Sequence, residues 1–293
     1  MNLNYQDNFP QWFEEQNKLD LVLSNDIDSL VSCALLKEVK GWNVRYFYNF
    51  ESCYASKALK NERNERCWVD VAVLNGEKAF DNHVSMVSVW DEYNKSMINP
   101  NLIANITNEY YPDKYAGSTA LLIWSLYNLP LPKTEEGKML LLSIDSSFKG
   151  HYTERFAEAN QFYLCDMFDF GELYDVMERH DISEFYNLID KYKLNDTITM
   201  KDGKLHTKLN LKKIGELLGI ELELPDDSFL LWKEYEIRQE KINEEYICTT
   251  KDIANNIFTL AFTFRNSVRY SKVKQKEKKK NEEWSKCIHS IAC

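Results

Sequence analysis

The stretch from Leu19 to Leu36, LDLVLSNDIDSLVSCALL, constrains the fold more tightly than any other part of the chain. Leu19 to Leu23 is an apolar run that reads as a buried strand. It breaks off at Ser24-Asn25-Asp26-Ile27-Asp28-Ser29. Leu30, Val31, Cys33, Ala34, Leu35 and Leu36 then supply the apolar face of a helix. Strand, polar loop and helix follow one another, with two carboxylates at the strand's end. In an open α/β sheet, ligands bind outside the carboxyl ends of the strands. Asp26 and Asp28 also have a structural reading, as caps of a helix over 29–40.

The pattern recurs. Val44–Tyr48 and Cys67–Val73 read as further strands, the second interrupted by Asp70, and Val84–Trp90 follows as another. Gly41 ends the first helix, and residues 54–62 read as an exposed helix. Alternating strands and helices predict an α/β fold with a mostly parallel sheet flanked by helices. After Asn99 the chain turns helical, over Ala120–Tyr127, Thr134–Ser143, Glu154–Asn160, Leu173–Arg179 and Phe185–Tyr192. The polar stretch Leu194–Gly203 marks a boundary between a first domain, 1–195, and a smaller α+β domain, 196–293. In the second, Leu209–Leu218 and Phe229–Tyr246 read as helices. Ile257–Arg265 reads as a strand, with Val268–Val273 as its partner, and Lys272–Lys280 is a dense basic run.

Hydrophobic residues make up 44% of the chain, which supports a packed core and excludes global disorder. The formal charge of −10 argues against a general nucleic-acid coat protein, so a polyanion must meet a local patch or a metal. Seven scattered cysteines without a C-x-x-C pair, and no signal peptide, read as reduced cytoplasmic thiols. No apolar run approaches a membrane span.

Asp26, Asp28, Asp70, His83 and Asp145 each fall at or near an element end. A lone buried carboxylate is costly, and several at one sheet edge repel one another unless a divalent cation neutralises them. Oxygen-rich sites with imidazole suit Mn²⁺ or Mg²⁺, and a pair of such ions can assist phosphodiester hydrolysis. Asp81 reads as a brace for His83. His151, His180, His206 and His289 lack a matching acidic pattern and read as surface or packing residues.

The order of these motifs resembles the DHH phosphoesterase superfamily, which includes RecJ-type single-strand nucleases, oligoribonucleases and cyclic-dinucleotide phosphodiesterases. In that family a strand leads into His-x-Asp-x-Asp-Gly and a helix. A second strand ends in Asp, a third element carries Asp-His-His, and a later helix leads to a fourth Asp. Ser24 to Ser29 looks like the first motif, Asp70 the second, Asp81-Asn82-His83 the third and Asp145 the fourth. The resemblance covers roughly residues 19–150. It implies one or two Mn²⁺ or Mg²⁺ ions on Asp26, Asp28, Asp70, His83 and Asp145, with Ser24, Asn25, Ser29 and Asn82 beside the substrate. It implies hydrolysis of a phosphodiester in a nucleotide, short oligonucleotide or single-stranded nucleic acid. The chain departs from the pattern at Ser24 and Asn82, where the family has imidazoles, and at Ser29, where it has Gly. The Gly-rich signature of the family's second domain is also missing. These departures leave open a reduced relative that binds a nucleotide, nucleic acid or protein without cleaving it. A third reading takes Asp26-Ile27-Asp28-Ser29 as a partial match to the haloacid-dehalogenase-like Asp-x-Asp-x-[Ser/Thr], with Asp226-Asp227 as its late acidic pair.

Overall fold

Successive side chains of a strand point to opposite faces, and strands buried on both faces read as continuous apolar runs. A computed structural model describes residues 1–59, 64–242 and 249–275. In β1 (Leu19–Leu23), Leu19, Leu21 and Leu23 enter one core and Val22 another. Phe47 of β2 (Asn43–Tyr48) enters the first core, whereas Tyr46 and Tyr48 enter the second. After β3 (Ser52–Ser56) comes β4 (Glu65–Val69), which divides Cys67 and Val69 from Trp68 in the same way.

The short strands β5 (Lys78–Phe80) and β6 (Met97–Ile98) extend the parallel set. A separate hairpin pairs β7 (Thr199–Lys201) with β8 (Lys204–His206). The chain then adds β9 (Phe229–Lys241), β10 (Thr259–Phe264) and β11 (Ser267–Val273). Among the described residues, nine strands form one sheet in the order β10-β11-β9-β3-β2-β1-β4-β5-β6.

Helix α1 (Leu3–Gln6) precedes β1, and α2 (Ile27–Lys40) follows it, closed by Gly41 at φ 68°. Next come α3 (Pro100–Ile103), α4 (Thr119–Leu126) and α5 (Glu135–Ser143). The later helices are α6 (Glu154–Gln161), α7 (Gly171–Arg179), α8 (Ile182–Tyr192), α9 (Leu211–Leu218) and α10 (Thr250–Ile253). Helices α2, α4, α5, α7, α8 and α9 contribute to the first core. No described helix is long and apolar enough to cross a membrane.

The second core is covered by the sheet itself. The sheet curls until β10 meets the segment after β4: Leu74 N–H donates to Phe258 O at 2.8 Å and Leu260 N–H to Ala72 O at 3.0 Å. Tyr48, Trp68, Tyr235 and Phe258 fill the space enclosed, in edge-on and tilted pairs with centroids 4.9–6.4 Å apart.

The α/β class holds, but the sheet is mixed and not mostly parallel. Residues 52–56 form a strand where a helix over 54–62 was expected. Asn49 accepts the Ser52 N–H at 2.8 Å and closes a tight hairpin from β2, so the chain reverses instead of crossing over. Residues 229–241 form the long strand β9, where a helix over 229–246 was expected. Its register with β3 on one side and β11 on the other outweighs its helix-favouring Leu, Glu and Lys. Val84–Trp90 is a loop and not a strand. Its Val87 and Ser88 N–H groups are taken by the Asp91 carboxylate at 2.7 and 3.3 Å. The expected segments beyond residue 59, beyond 242 and beyond 275, the latter holding most of the basic run, lie partly outside the described residues.

Helix α5 carries the chain into Asp145, and α9 packs against it. Gly137 in α5 has the Leu217 carbonyl oxygen and Pro132 Cβ where a Cβ would go. Gly→Ala inside a helix normally stabilises by roughly 1 kcal/mol. Here crowding reverses the sign, and Gly137→Ala is expected to destabilise by about 1–3 kcal/mol, read as a lower melting temperature. An unchanged or raised melting temperature counts against this packing.

Candidate metal and substrate site

Each motif carboxylate is placed by a backbone feature that the local sequence dictates. Asp26 caps α2, its Oδ1 accepting Ser29 N–H at 3.0 Å. Asp28, in the first turn of α2, is buried and reaches across to α4. Its two oxygens accept Thr119 N–H at 2.7 Å and Ala120 N–H at 2.8 Å. A carboxylate at a helix N-terminus satisfies orphan donors and meets the positive end of the dipole. Asp70 ends β4 in a left-handed turn, φ 60°, and accepts Thr119 Oγ1–H at 3.1 Å. Asp145 and Ser146 are consecutive left-handed residues, φ 49° and 56°, just after α5.

These groups feel one another strongly. Burial raises the Asp28 carboxyl well above the usual range, and the Asp145 and Asp26 charges add to it. Burial does the same to Asp70, with Asp26, Asp28 and Asp145 next in weight. Asp26 is also raised by burial, opposed by the Ser29 N–H, by His83 and by a side-chain hydrogen bond to Asp70. Asp145 is exposed at the cleft, and the protein atoms crowded around it lift its carboxyl to about 6, with His83 pulling it down and Asp26 pushing it up. Burial disfavours the His83 imidazolium, yet the Asp81 carboxylate outweighs it and holds His83 up at about 9.

Asp81 is fully buried and saturated. Its Oδ1 pairs with His83 Nδ1 at 2.8 Å, and its Oδ2 accepts His83 N–H at 3.0 Å and Asn99 Nδ2–H at 2.8 Å. Asp70, Asp81 and His83 present potential ligand atoms within 4.8 Å of one another. Because both Asp81 oxygens are engaged, Asp81 is the brace of the imidazole, which leaves His83 Nε2 as the available ring nitrogen. Asn82 donates from Nδ2 to Gly117 O at 2.6 Å and to Asp145 Oδ2 at 3.2 Å, fixing that carboxylate.

The remaining expected residues divide. Ser29 Oγ–H donates to Val69 O at 2.9 Å and its oxygen accepts Ser24 N–H at 2.8 Å, so it stitches the end of β1 to the end of β4. Ser24 and Ser29 are both fully buried. Asn25 contributes its carbonyl, which accepts Ile198 N–H at 2.8 Å. Asp226 and Asp227 are held by Lys204 and Arg45, away from the acidic cluster. His180 pairs with Glu135 and Glu184, and His151 with Glu178, on the helical side.

A cleft of about 320 Å³ opens over the cluster, with Asp70, His83 and Asp145 on one side and β10 and β11 on the other. Phe50, Tyr111, Lys114 and Arg269 also line it. No pattern in the sequence pointed to these four. Thr119 likewise went unread, although its place at the N-terminus of α4 was legible.

Among the described residues only Asp70, Asp81 and His83 bring ligand atoms close enough to share one ion; Asp26, Asp28 and Asp145 do not join them in a group that close. Carboxylate oxygens with one imidazole nitrogen fit a hard divalent cation. Two buried oxygens there lack any hydrogen-bond partner, Ser24 Oγ and Asn82 Oδ1, and both stand at positions where the first and third motifs were read. Compared with family models, curated proteins and solved structures, the chain matches none.

Two substitutions separate the roles of these carboxylates. Asp28→Ala orphans two buried N–H donors and is expected to cost about 2–3 kcal/mol. Asp70→Asn keeps an acceptor for Thr119 while removing a repelling charge, and is expected to raise the melting temperature in chelator. Millimolar Mn²⁺ is expected to raise the wild-type melting temperature by mass action, an effect that Asp70→Asn weakens. Thermal melts with and without Mn²⁺ check all three. A wild type indifferent to Mn²⁺ counts against a cation site.

Proposed function

We propose that the cleft is the active site of a divalent-metal-dependent phosphodiesterase acting on a nucleotide, short oligonucleotide or single-stranded nucleic acid. One observation carries the reading: Asp26, Asp28, Asp70 and Asp145 interact electrostatically at one sheet edge, beside an Asp81-braced His83 that lines an open cleft. The resemblance to the DHH phosphoesterases, argued from the order of their motifs, supports it.

Asp70 and His83, whose ligand atoms lie close together, would hold the ion, Mn²⁺ or Mg²⁺, with Asp26 and Asp145 drawn in on binding. When bound, it would polarise the phosphoryl oxygens and lower the pKa of water. The protein's own residues do the rest. Asp28 anchors the N-terminus of α4, so Thr119 is presented to Asp70 in a fixed position. Asn82 holds Asp145 against the floor. Asp81 fixes the imidazole through Nδ1, so Nε2 is the atom that ligates or exchanges a proton. Lys114 lies close enough to Asp145 to lower its pKa, and so adds positive charge at the rim.

Labelled short DNA and RNA strands and dinucleotides, incubated with Mn²⁺, test the reading. Slow, Mn²⁺-preferring hydrolysis is expected, reduced about 100-fold or more by Asp70→Ala. Cleavage that survives Asp70→Ala assigns the activity elsewhere. Tight binding of one strand with no cleavage of any transfers the site to a non-catalytic binder.

A further inference from the structure

Asp81-Asn82-His83 and Asn99-Pro100-Asn101 leave the sheet side by side. The first follows β5 and the second follows β6, two strands that pair in parallel with Phe80 opposite Ile98. Asn99 caps α3, its Oδ1 accepting Asn101 N–H at 2.8 Å. Pro100 takes the first helical position, where a missing N–H is harmless. The cap needs only that one acceptor. The other end of the amide turns toward the site: Asn99 Nδ2–H donates to Asp81 Oδ2 and to His83 O, each at 2.8 Å.

Asn101 holds the residue in between. Its Nδ2–H donates to Asn82 O at 2.7 Å and to Tyr115 O at 3.2 Å, and its Oδ1 accepts Tyr115 N–H at 2.8 Å. It therefore engages both backbone polar groups of Tyr115. It also ties residues 81–83 to residues 114–117, the stretch whose Gly117 O accepts Asn82 Nδ2–H. Both carboxamides are at most 1% exposed, a costly place for an amide unless its hydrogen bonds are made. In each, the nitrogen donates twice and the oxygen accepts. Ser would cap α3 as well as Asn does, so the cap alone does not account for a carboxamide at position 99.

We infer that Asn99 and Asn101 are positioning residues for the acidic site, acting through Asp81 and the Asn82 main chain to fix the direction in which His83 presents Nε2. Asn99 holds Asp81 Oδ2, which turns Oδ1 onto His83 Nδ1, and from the same nitrogen it holds the His83 carbonyl. Ring and main chain of His83 are thus referred to one side chain. The bearing of the pair on catalysis rests on the metal-dependent reading of the site, whereas the geometry they impose does not.

Proton NMR of the metal-free protein tests that geometry. The charge-assisted Asp81–His83 bond is expected to give an imidazole N–H resonance far downfield, assigned by its loss in His83→Gln. Asn99→Ser keeps the cap acceptor but removes both amide donors, and is expected to displace or broaden that resonance in the folded protein. Asn101→Ser leaves the cap untouched and is expected to shift it less. Gly137→Ala, destabilised by crowding against α9, is expected to leave it in place, which separates positioning from stability alone. The apparent Mn²⁺ affinity, read from the melting temperature, is expected to fall about tenfold or more in Asn99→Ser. A wild type without the resonance overturns the inference. So does a resonance that both Asn variants leave unmoved, or that Gly137→Ala also displaces. A resonance displaced in the Asn variants, in a protein whose melting temperature ignores Mn²⁺, upholds the positioning and removes the metal reading instead.

Discussion

Four carboxylates that repel one another, three of them after the ends of two adjacent strands and the fourth after α5, set the terms for everything around them. Like charges out of water raise one another's pKa, so the folded state must offset them with fixed donors, cations or protons. Each compensation is visible. The N-terminus of α4 serves Asp28, the Thr119 hydroxyl serves Asp70, the Asn82 amide serves Asp145, and the Ser29 N–H serves Asp26. Asp70 opposes part of the rise that burial imposes on Asp26, and His83 does the same for Asp145. A divalent cation at the proposed site would compete with protons for the same oxygens. A chain with no use for the cluster would be more stable with amides or apolar residues there.

The curl of the sheet converts this cluster into a site. Had the parallel strands continued under helices on both faces, the carboxyl ends of β1 and β4 would open to solvent. Instead the β2–β3 hairpin reverses the chain, β9 joins β3, and the β10–β11 hairpin returns to hydrogen-bond with residues 72–74. Tyr48, Trp68, Tyr235 and Phe258 hold that closure from inside. The β10–β11 wall therefore stands over Asp70 because of a packed aromatic core, and the cleft width follows from the sizes of those rings.

The local half of this architecture was legible in the sequence. Leu19–Leu23 and the helix after it carry unambiguous periodicity, Gly41 marks a helix end, and Asp70 stands out because it interrupts an apolar strand. The non-local half was not. Phe229–Lys241 is rich in helix formers, and its strand state comes from pairing with β3, more than 170 positions earlier in the chain. Val84–Trp90 alternates like a strand but is drawn into a loop by the Asp91 carboxylate. Among the residues around the cleft, those in motifs were read because their spacing is local. Lys114 and Arg269 were not, because nothing in their own neighbourhoods marks them and only the curl brings them to one cleft.

The two departures from the motif pattern sharpen the chemistry of the proposed site. Ser24 cannot replace an imidazole in reach, and its hydroxyl is left without a partner at the end of β1. Asn82 does take over one task, since its amide holds Asp145 and the Gly117 carbonyl. Its other amide atom, Oδ1, is a buried neutral carbonyl oxygen without a partner, where an imidazole would offer a nitrogen. Replacing nitrogen donors by oxygen moves a site toward the hard ions Mg²⁺ and Mn²⁺ and away from zinc. It also lowers affinity for any ion, because the neutral nitrogen ligands were the ones that added binding without adding repulsion.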